Sequence, residues 1–325
     1  MSKAIRIHET GGPEVLRFEE VVVGEPGRGE ARVRHTAVGV NFVDIYHRTG
    51  LYPLPLPAGL GSEAAGVVEA VGPGVTALAP GDRVVYLYTG MPGAYSEVRL
   101  LPVEVLVRLP SAVADETAAA AFLKGLTVQS LVRRTYPVKR GEVVLWHAAA
   151  GGVGLLAVQW LKSLGATVIG TVGSDEKAEL ARAFGCDHVV NYSREDFVAK
   201  VKEVTGGVGV PVVYDSVGKE TFDRSLQCLR PLGMMVTFGN ASGPVPPVAP
   251  AILTQRGSLF LTRPSVGHYV AGRPDLERAA GELFQLLEAK TLGVRVGGRY
   301  PLAEAGAAQS ALSGRRTSGS VLLLP

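Results

Sequence analysis

Residues 142–154, with the sequence EVVLWHAAAGGVG, constrain the fold of this chain more than any other segment. An apolar run of strand length leads into a turn that ends in Gly151, Gly152 and Gly154, and an apolar helix pattern follows. A pyrophosphate can approach the amides at a helix N-terminus only where no side chain intervenes, which explains the glycines. Glycine-rich turns alone are common, but the strand before this one and the helix after it predict a dinucleotide-binding unit.

The composition bounds the class of protein. A chain of 325 residues with 46% hydrophobic residues can bury more than one core, so we expect two domains. The formal net charge is only +3, and no run of Lys and Arg exceeds two residues, which gives no indication of a nucleic-acid surface. Two cysteines are too few for a disulfide framework or a multi-cysteine zinc lobe. With no signal-peptide core and no membrane-spanning apolar run, the expected location is cytoplasmic.

The first hundred residues predict a barrel-like β unit, because short apolar or alternating segments are separated by Gly/Pro turns. Residues 41–60 interrupt this pattern. Their PLPLP sequence, residues 53–57, alternates proline with an apolar residue and cannot pair as a central strand. We therefore expect a loop over 41–60, and an apolar loop suggests that it covers a pocket.

From Ser111 onwards the pattern changes to α/β. A helix through the alanine run to about Arg134 is followed by strands that alternate with helices, with Ser174 and Ser193 as predicted N-caps. Such alternation predicts a doubly wound parallel sheet with right-handed crossovers. After Pro264 we expect a helix, a strand, a short helix and a terminal strand that return to the N-terminal unit.

The end of the second strand of this sheet indicates the cofactor. NAD enzymes place a carboxylate about 20 residues beyond the glycine turn, where it binds the ribose 2′-hydroxyl. This chain has Gly173 there, followed by Ser174 at a helix N-terminus and by Lys177. A missing acid and a nearby cation favour the 2′-phosphate of NADP(H), and Tyr192 at the end of the third strand can reach the same group. A solvated surface lysine is the alternative for Lys177.

Further motifs along the whole chain are GGPEVL, VNFVDIYHRTGLYP, GSEAAGVVEAVGPGV, FLKGLTV, YDSVG, FGNASG, LTRPS and RRTSGS. With the glycine turn, they resemble the medium-chain dehydrogenase/reductase superfamily, and within it the zinc-free, zeta-crystallin-like quinone oxidoreductases. The resemblance implies a GroES-like β-barrel catalytic domain over 1–118, completed by 264–325, and a Rossmann domain over 119–263. It also implies a cofactor in the cleft and a homodimer formed through Rossmann edge strands, here the segment SLFLTR.

The zinc-dependent members of the superfamily differ from this chain at three positions that bind zinc. Those enzymes have a cysteine where this chain has Asn41, a histidine where it has Ser62, and a cysteine near Lys124. Zinc needs three such protein ligands, and Glu63 alone does not provide them. We therefore expect no metal, and we expect reduction of electron-poor acceptors rather than oxidation of unactivated alcohols.

The same resemblance implies catalytic residues at Asn41, Asp44, Tyr46 and Tyr52. Asn41 and Tyr46 would hydrogen-bond the acceptor oxygen or the nicotinamide, and Asp44 would orient them or relay a proton. Tyr52 would add to the apolar cover of a flat ring. A structural alternative exists, in which Asn41 and Asp44 are turn-forming residues that cap the segment NFVDIY and Tyr46 lines a wall.

The cofactor contacts follow from the turn and from the strand ends, since ligands of doubly wound sheets lie beyond the carboxyl ends of the strands. For Arg263 and Arg315 a solvated ion pair is an alternative, and for Arg263 a dimer contact is another. The candidate cofactor residues are Thr127, Ala149, Gly151, Gly152, Val153, Gly154, Gly173, Ser174, Lys177, Tyr192, Ser216, Val217, Phe238, Gly239, Asn240, Ser242, Thr262, Arg263 and Arg315.

These observations favour an NADPH-dependent quinone oxidoreductase that acts without zinc. Reduction of the double bond of an enal or enone is the alternative, because both reactions need only a dry slot over the nicotinamide. A non-catalytic NADPH-binding protein, crystallin-like or RNA-binding, is an alternative from another class, which the weak basic patterning disfavours.

Overall fold

The computed structural model describes the complete chain, residues 1–325. The chain forms two compact units. Unit 1 comprises Met1–Leu126, Tyr269–Ala289 and Val294–Pro325, and unit 2 comprises Thr127–His268 and Lys290–Gly293. The domain bounds inferred from the sequence, 1–118 with 264–325 and 119–263, stay a prediction about independently folding domains. No helix is both long enough and apolar enough to cross a membrane.

The first part of unit 1 consists mainly of β-strands, with a short helix after the third strand and a longer one at the end. The elements are β1 (Ser2–Ile7), β2 (Arg17–Val21), β3 (Glu30–Val40), α1 (Phe42–Arg48), β4 (Ala58–Gly59), β5 (Glu63–Val71), β6 (Arg83–Leu87), β7 (Val98–Pro102), β8 (Leu106–Arg108) and α2 (Asp115–Gln129). A π-helical turn, Ser130–Thr135, continues α2.

The middle of the chain alternates strands with helices. The elements are β9 (Val143–Trp146), α3 (Gly152–Ser163), β10 (Thr167–Val172), α4 (Asp175–Ala183), β11 (His188–Asn191), α5 (Phe197–Val204), β12 (Val210–Asp215), α6 (Phe222–Leu226), β13 (Leu229–Thr237), α7 (Ala251–Gln255) and β14 (Phe260–Thr262). The last part contains α8 (Val266–Tyr269), α9 (Arg273–Glu288), β15 (Val296–Pro301), α10 (Ala305–Ser313) and β16 (Ser320–Leu324).

Unit 2 is built around a six-stranded sheet with the order β11-β10-β9-β12-β13-β14. All neighbouring strands are parallel, so the predicted doubly wound sheet is confirmed. The strand order reverses between β9 and β12. In open α/β sheets a ligand crevice forms beyond the carboxyl ends of the strands at this switch point, and the glycine turn follows β9 there.

Unit 1 contains a three-stranded sheet, β2-β1-β4, and a seven-stranded sheet, β15-β16-β3-β5-β6-β8, in which β7 also pairs with β3. Strand β16 pairs antiparallel with β3, with Leu322 opposite Gly39. The predicted return of the C-terminal segment to the N-terminal unit is therefore confirmed. The inward side chains of both ends form one core that includes Ile5, Val38 and Leu323.

Two local predictions were wrong. The predicted loop over 41–60 contains helix α1, which begins with a capping box formed by Asn41 and Asp44. Helix α5 does not begin at Ser193, since Asp196 is its N-cap and accepts a hydrogen bond from the Val198 backbone N–H at 2.9 Å. The Ser193 hydroxyl instead donates to the Gly173 carbonyl at 3.0 Å.

Helix α2 packs closely against α9. A Cβ added at Gly125 would lie 2.5 Å from Leu283 Cδ1, so a larger residue there would require the Leu283 side chain to move. The rings of Phe122 and Phe284 stack beside it, with centroids 6.1 Å apart. This contact fixes α2 and with it Lys124, which belongs to the site described next.

Candidate active site

Asp44 is the centre of a buried polar cluster in unit 1. Its Oδ2 accepts hydrogen bonds from the Asn41 backbone N–H at 2.8 Å and from the Tyr95 hydroxyl at 2.9 Å. Gln309 of α10 donates to the same Tyr95 hydroxyl at 3.4 Å. The carboxyl group has no exposed surface, and its Oδ1 has no hydrogen-bond partner.

Burial raises the pKa of Asp44 to about 7, because the charged form loses its hydration. The hydrogen bonds from Asn41 and Tyr95 act in the opposite direction and lower the pKa. The charge of Glu63 raises it, and the charge of Lys124 lowers it. A carboxyl group in this state can hold a proton near neutral pH and can also release it, which is what general acid–base catalysis requires.

Asn41 is held by a second cluster, which consists of Glu63 at the start of β5 and Lys124 on α2. Asn41 Nδ2 donates to Glu63 Oε1 at 2.8 Å, and Lys124 Nζ lies 3.1 Å from the same oxygen. The Leu123 backbone N–H donates to Glu63 Oε2 at 2.6 Å. All three side chains are buried, and Glu63 has no exposed surface.

Tyr46 and Tyr52 lie against each other, and their proposed catalytic roles stay predictions. Their rings meet edge to face with centroids 5.2 Å apart, and the Tyr52 backbone N–H donates to the Tyr46 carbonyl at 3.0 Å. The His47 ring packs on Tyr52 at 6.1 Å. Tyr46 is 8% exposed and Tyr52 half-buried, so the pair forms an aromatic wall at the C-terminal end of α1.

The glycine turn of unit 2 has the close backbone approach that a dinucleotide site needs. Gly151 is the N-cap of α3, and a Cβ added at Gly154 would lie 2.2 Å from the Ala148 carbonyl oxygen. Ala149 is fully buried, and Ala148 adopts a left-handed backbone with φ of 55°. Gly152 and Val153 form the first turn of α3, whose amides can bind a pyrophosphate.

The residues predicted to bind a 2′-phosphate are also brought together. Ser174 caps α4 by accepting from the Lys177 backbone N–H at 3.3 Å. A Cβ added at Gly173 would lie 2.8 Å from the Tyr192 hydroxyl, so the missing side chain makes room for that ring. The nearby Asp175 carboxylate is bound by Arg194 at 2.5 Å and by Asn191 Nδ2 at 2.9 Å. The sequence analysis missed these two partners of Asp175; Arg194 offsets its charge, and Glu176 is a second acid in the first turn of α4.

The loops after β12 and β13 are joined by hydrogen bonds. The Ser242 backbone N–H donates to the Val217 carbonyl at 2.8 Å, and the Ala241 backbone N–H donates to the Ser216 carbonyl at 3.2 Å. Arg263, after Thr262 of β14, donates to Thr237 Oγ1 at 3.1 Å and to the Gly239 carbonyl at 3.4 Å. The predicted residues that take part in these bonds are Ser216, Val217, Gly239, Ser242 and Arg263, while Phe238, Asn240 and Thr262 are their neighbours in the chain.

A buried network that the sequence analysis missed shapes the first of these loops. Asp215 Oδ1 accepts from the backbone N–H groups of Val217 at 2.8 Å and Gly218 at 3.0 Å. Its Oδ2 accepts from Thr221 Oγ1 at 2.7 Å and from Ser225 Oγ at 3.3 Å. Ser225 Oγ lies 2.9 Å from His147 Nε2, and burial lowers the pKa of this histidine.

Two candidate residues lie apart from these clusters. Thr127 lies on α2, where it is half-buried. Arg315 lies in the exposed turn after α10 with a left-handed backbone, φ 57°. Their proposed contacts with the cofactor stay predictions.

Comparison with known proteins shows relatives of the same length. Residues 27–111 match the family model described as alcohol dehydrogenase GroES-like domain, and residues 152–285 match the one described as zinc-binding dehydrogenase. A quinone oxidoreductase from Pseudomonas aeruginosa is 52% identical over 326 residues, with 100% of both chains covered. The chain belongs to the quinone oxidoreductase family. The resemblance noted from the motifs is therefore confirmed, as is the fold class.

The chain is also similar over its whole length to a solved quinone oxidoreductase structure and to a reductase with a different name. The crystal structure of Escherichia coli quinone oxidoreductase complexed with NADPH is 50% identical, covers 99% of this chain and 100% of that one, and has a TM-score of 0.97. A 2-haloacrylate reductase from a Burkholderia species is 49% identical over 333 residues, which cover 100% of this chain and 99% of the relative.

One of the two family models is described as a zinc-binding dehydrogenase, which raises the question whether these residues could bind zinc. At the positions named above, the chain has the neutral side chains of Asn41 and Ser62 and the ammonium group of Lys124. An ammonium group repels a divalent cation, and neither neutral side chain replaces a thiolate or an imidazole. No group of three or more His, Cys, Asp or Glu side chains has the geometry to hold a metal ion. The donor set at Asn41, Ser62 and Lys124 does not fit zinc.

Proposed function

We propose that this protein is an NADPH-dependent quinone oxidoreductase that works without zinc. The observation that carries the proposal is the site around Asp44, where a buried carboxyl group with a pKa of about 7 adjoins Asn41. Such a site can provide a proton and hydrogen bonds to an oxygen without a metal. The identity to named quinone oxidoreductases over the whole length supports the same reaction.

The residues of unit 2 fit NADPH. The bare glycine turn would hold the pyrophosphate at the N-terminus of α3. The corner of Gly173, Ser174, Lys177 and Tyr192 would hold the 2′-phosphate, because it combines a cation with a helix N-terminus. The joined loops after β12 and β13 would line the rest of the cofactor. When bound, the cofactor supplies the hydride that reduces the acceptor.

The residues of unit 1 would act on the acceptor. Asn41 and Tyr46 would donate hydrogen bonds to its oxygen, which gains negative charge during reduction. Asp44 would hold the proton that the reduced oxygen takes up. Tyr52 and the apolar PLPLP segment after it, residues 53–57, would exclude water from one face of a flat ring. A quinone needs little further activation, because it is already electron-poor.

Reduction of an activated carbon–carbon double bond is the second candidate, and the Burkholderia relative named 2-haloacrylate reductase favours it. The test is NADPH oxidation with 1,4-benzoquinone, trans-2-hexenal, 2-chloroacrylate and hexanal at equal concentrations. We expect the highest kcat/KM with the quinone and none with hexanal. A higher value with 2-chloroacrylate or hexenal would replace the quinone by that acceptor, and turnover of none would refute an enzymatic role.

The sheet of unit 2 supports a further proposal, a homodimer formed by β14. This strand lies at the edge of the sheet, and Phe260 on it is 56% exposed. An exposed apolar edge strand pairs readily with another strand, and a second copy offers the same edge. A cytoplasmic location also stays a proposal, which cell fractionation tests.

A further inference from the structure

Glu63 and Lys124 form a buried ion pair whose role stability alone does not explain. Replacing a buried pair by apolar side chains of similar volume is often neutral or stabilising, since desolvation offsets the attraction. Yet this pair is built closely into unit 1. A Cβ added at Gly39 would lie 2.2 Å from Glu63 Oε1 and 2.6 Å from the Ala119 carbonyl oxygen, so the opposite strand has no room for a side chain beside the carboxylate.

The pair is connected to the proposed catalytic residues in two ways. Glu63 Oε1 accepts from Asn41 Nδ2 at 2.8 Å, which fixes the orientation of that carboxamide. Both charges also act on Asp44, in opposite directions, as their effects on its pKa indicate. The carboxylate alone would therefore place a negative charge beside the oxygen that Asn41 is proposed to bind.

We propose that Glu63 and Lys124 are positioning residues for the acceptor oxygen. Glu63 orients the Asn41 carboxamide, and Lys124 neutralises Glu63 so that its charge does not oppose the charge that forms on the acceptor. The pair thus provides a fixed and nearly neutral support for Asn41. This inference rests on the proposed function, because it concerns the oxygen that becomes reduced.

The test compares the wild type with Glu63→Gln, Lys124→Met and the double variant. Glutamine keeps an acceptor for Asn41, so we expect kcat in Glu63→Gln to stay within about threefold of the wild type. Lys124→Met leaves an unpaired anion, and we expect kcat to fall at least about 30-fold, which is about 2 kcal/mol. The double variant should regain most of that loss. Arg299→Met, which removes the cation of an exposed ion pair with Glu116, is the matched control.

A second readout does not depend on turnover or cofactor. The titration of the Asp44 carboxyl group, followed by ¹³C NMR in the free protein, should move to lower pH in Glu63→Gln and to higher pH in Lys124→Met. If Lys124→Met does not fold, the double variant should still have a kcat close to that of Glu63→Gln, because no carboxylate is left for Lys124 to neutralise. Equal losses of kcat in both single variants, in proportion to their melting temperatures, would overturn the proposal. A wild type inactive with every acceptor would instead refute the proposed function.

Discussion

The wild type should become less stable as pH rises, because Asp44 is protonated in the folded protein. Replacement of Asp44 by Asn should abolish this dependence on pH. The ordinary pKa of this carboxyl group is 3.8, and in the folded protein it is about 7. Between these values the folded state keeps a proton that the unfolded state releases, so stability falls with rising pH. At 1.36 kcal/mol per pKa unit, the group accounts for about 4 kcal/mol, fully present below pH 4 and absent above pH 7.

Urea unfolding of the wild type and Asp44→Asn at several pH values between 4 and 8 measures this effect. The free energy of unfolding of the wild type, minus that of the variant, should fall by about 4 kcal/mol over the range and then level off. Asparagine retains the shape and an acceptor for the Tyr95 hydroxyl. Asp223→Asn, which removes the charge of an exposed carboxylate of α6, is the control. A flat difference for Asp44→Asn would refute the reasoning that burial keeps this group protonated.

Three further predictions concern unit 2. Lys177→Ala should weaken NADPH binding by about 10- to 100-fold, because one charge-assisted hydrogen bond to the phosphate is lost, and NADH binding by less than about twofold. Fluorescence titration measures both affinities, and equal weakening would refute the 2′-phosphate assignment. Gly154→Ala should lower the free energy of unfolding by about 1–3 kcal/mol, because its Cβ would lie 2.2 Å from the Ala148 carbonyl oxygen. Gly151→Ala, whose Cβ would lie 3.3 Å from the same oxygen, should fold and is the control in thermal unfolding. Phe260→Lys should convert the proposed dimer into monomers in sedimentation experiments, while Val208→Lys, at another exposed apolar residue of unit 2, should not.

The sheet of unit 2 could be predicted because its signals are local. Each strand is a short apolar run, and each crossover contains a helix pattern. The turn after β9 needs glycine because a Cβ at Gly154 would lie 2.2 Å from the Ala148 carbonyl oxygen. The signals at the corner of Gly173 are local too, and the 2′-phosphate site that they indicate stays a prediction.

The start of α1 and of α5 could not be predicted from such signals. Ser193 and Asp196 are both good caps, and the choice depends on the Gly173 carbonyl, which binds the Ser193 hydroxyl from another strand. For α1 the following prolines suggested a loop, whereas the capping box of Asn41 and Asp44 is enough to begin a short helix.

The clusters around Asp44 and Asn41 depend on contacts between distant parts of the chain. Glu63 and Lys124 are 61 residues apart, and Gln309 and Tyr95 are 214 apart, so no spacing in the sequence joins them. The family resemblance indicated Asn41 and Asp44. Their partners, which determine charge and orientation, come from distant segments of the chain such as β5, α2 and α10, and only the folded structure shows them.

The most direct test of the central claim is NADPH oxidation by the purified protein with 1,4-benzoquinone, before and after exhaustive treatment with a chelator. We predict one NADPH consumed per quinone reduced, at the same rate in both samples and with a higher kcat/KM than with NADH. Loss of the rate on chelation, with recovery on adding zinc, would contradict the metal-free mechanism. Absence of quinone-dependent oxidation in both samples would contradict the proposed function itself.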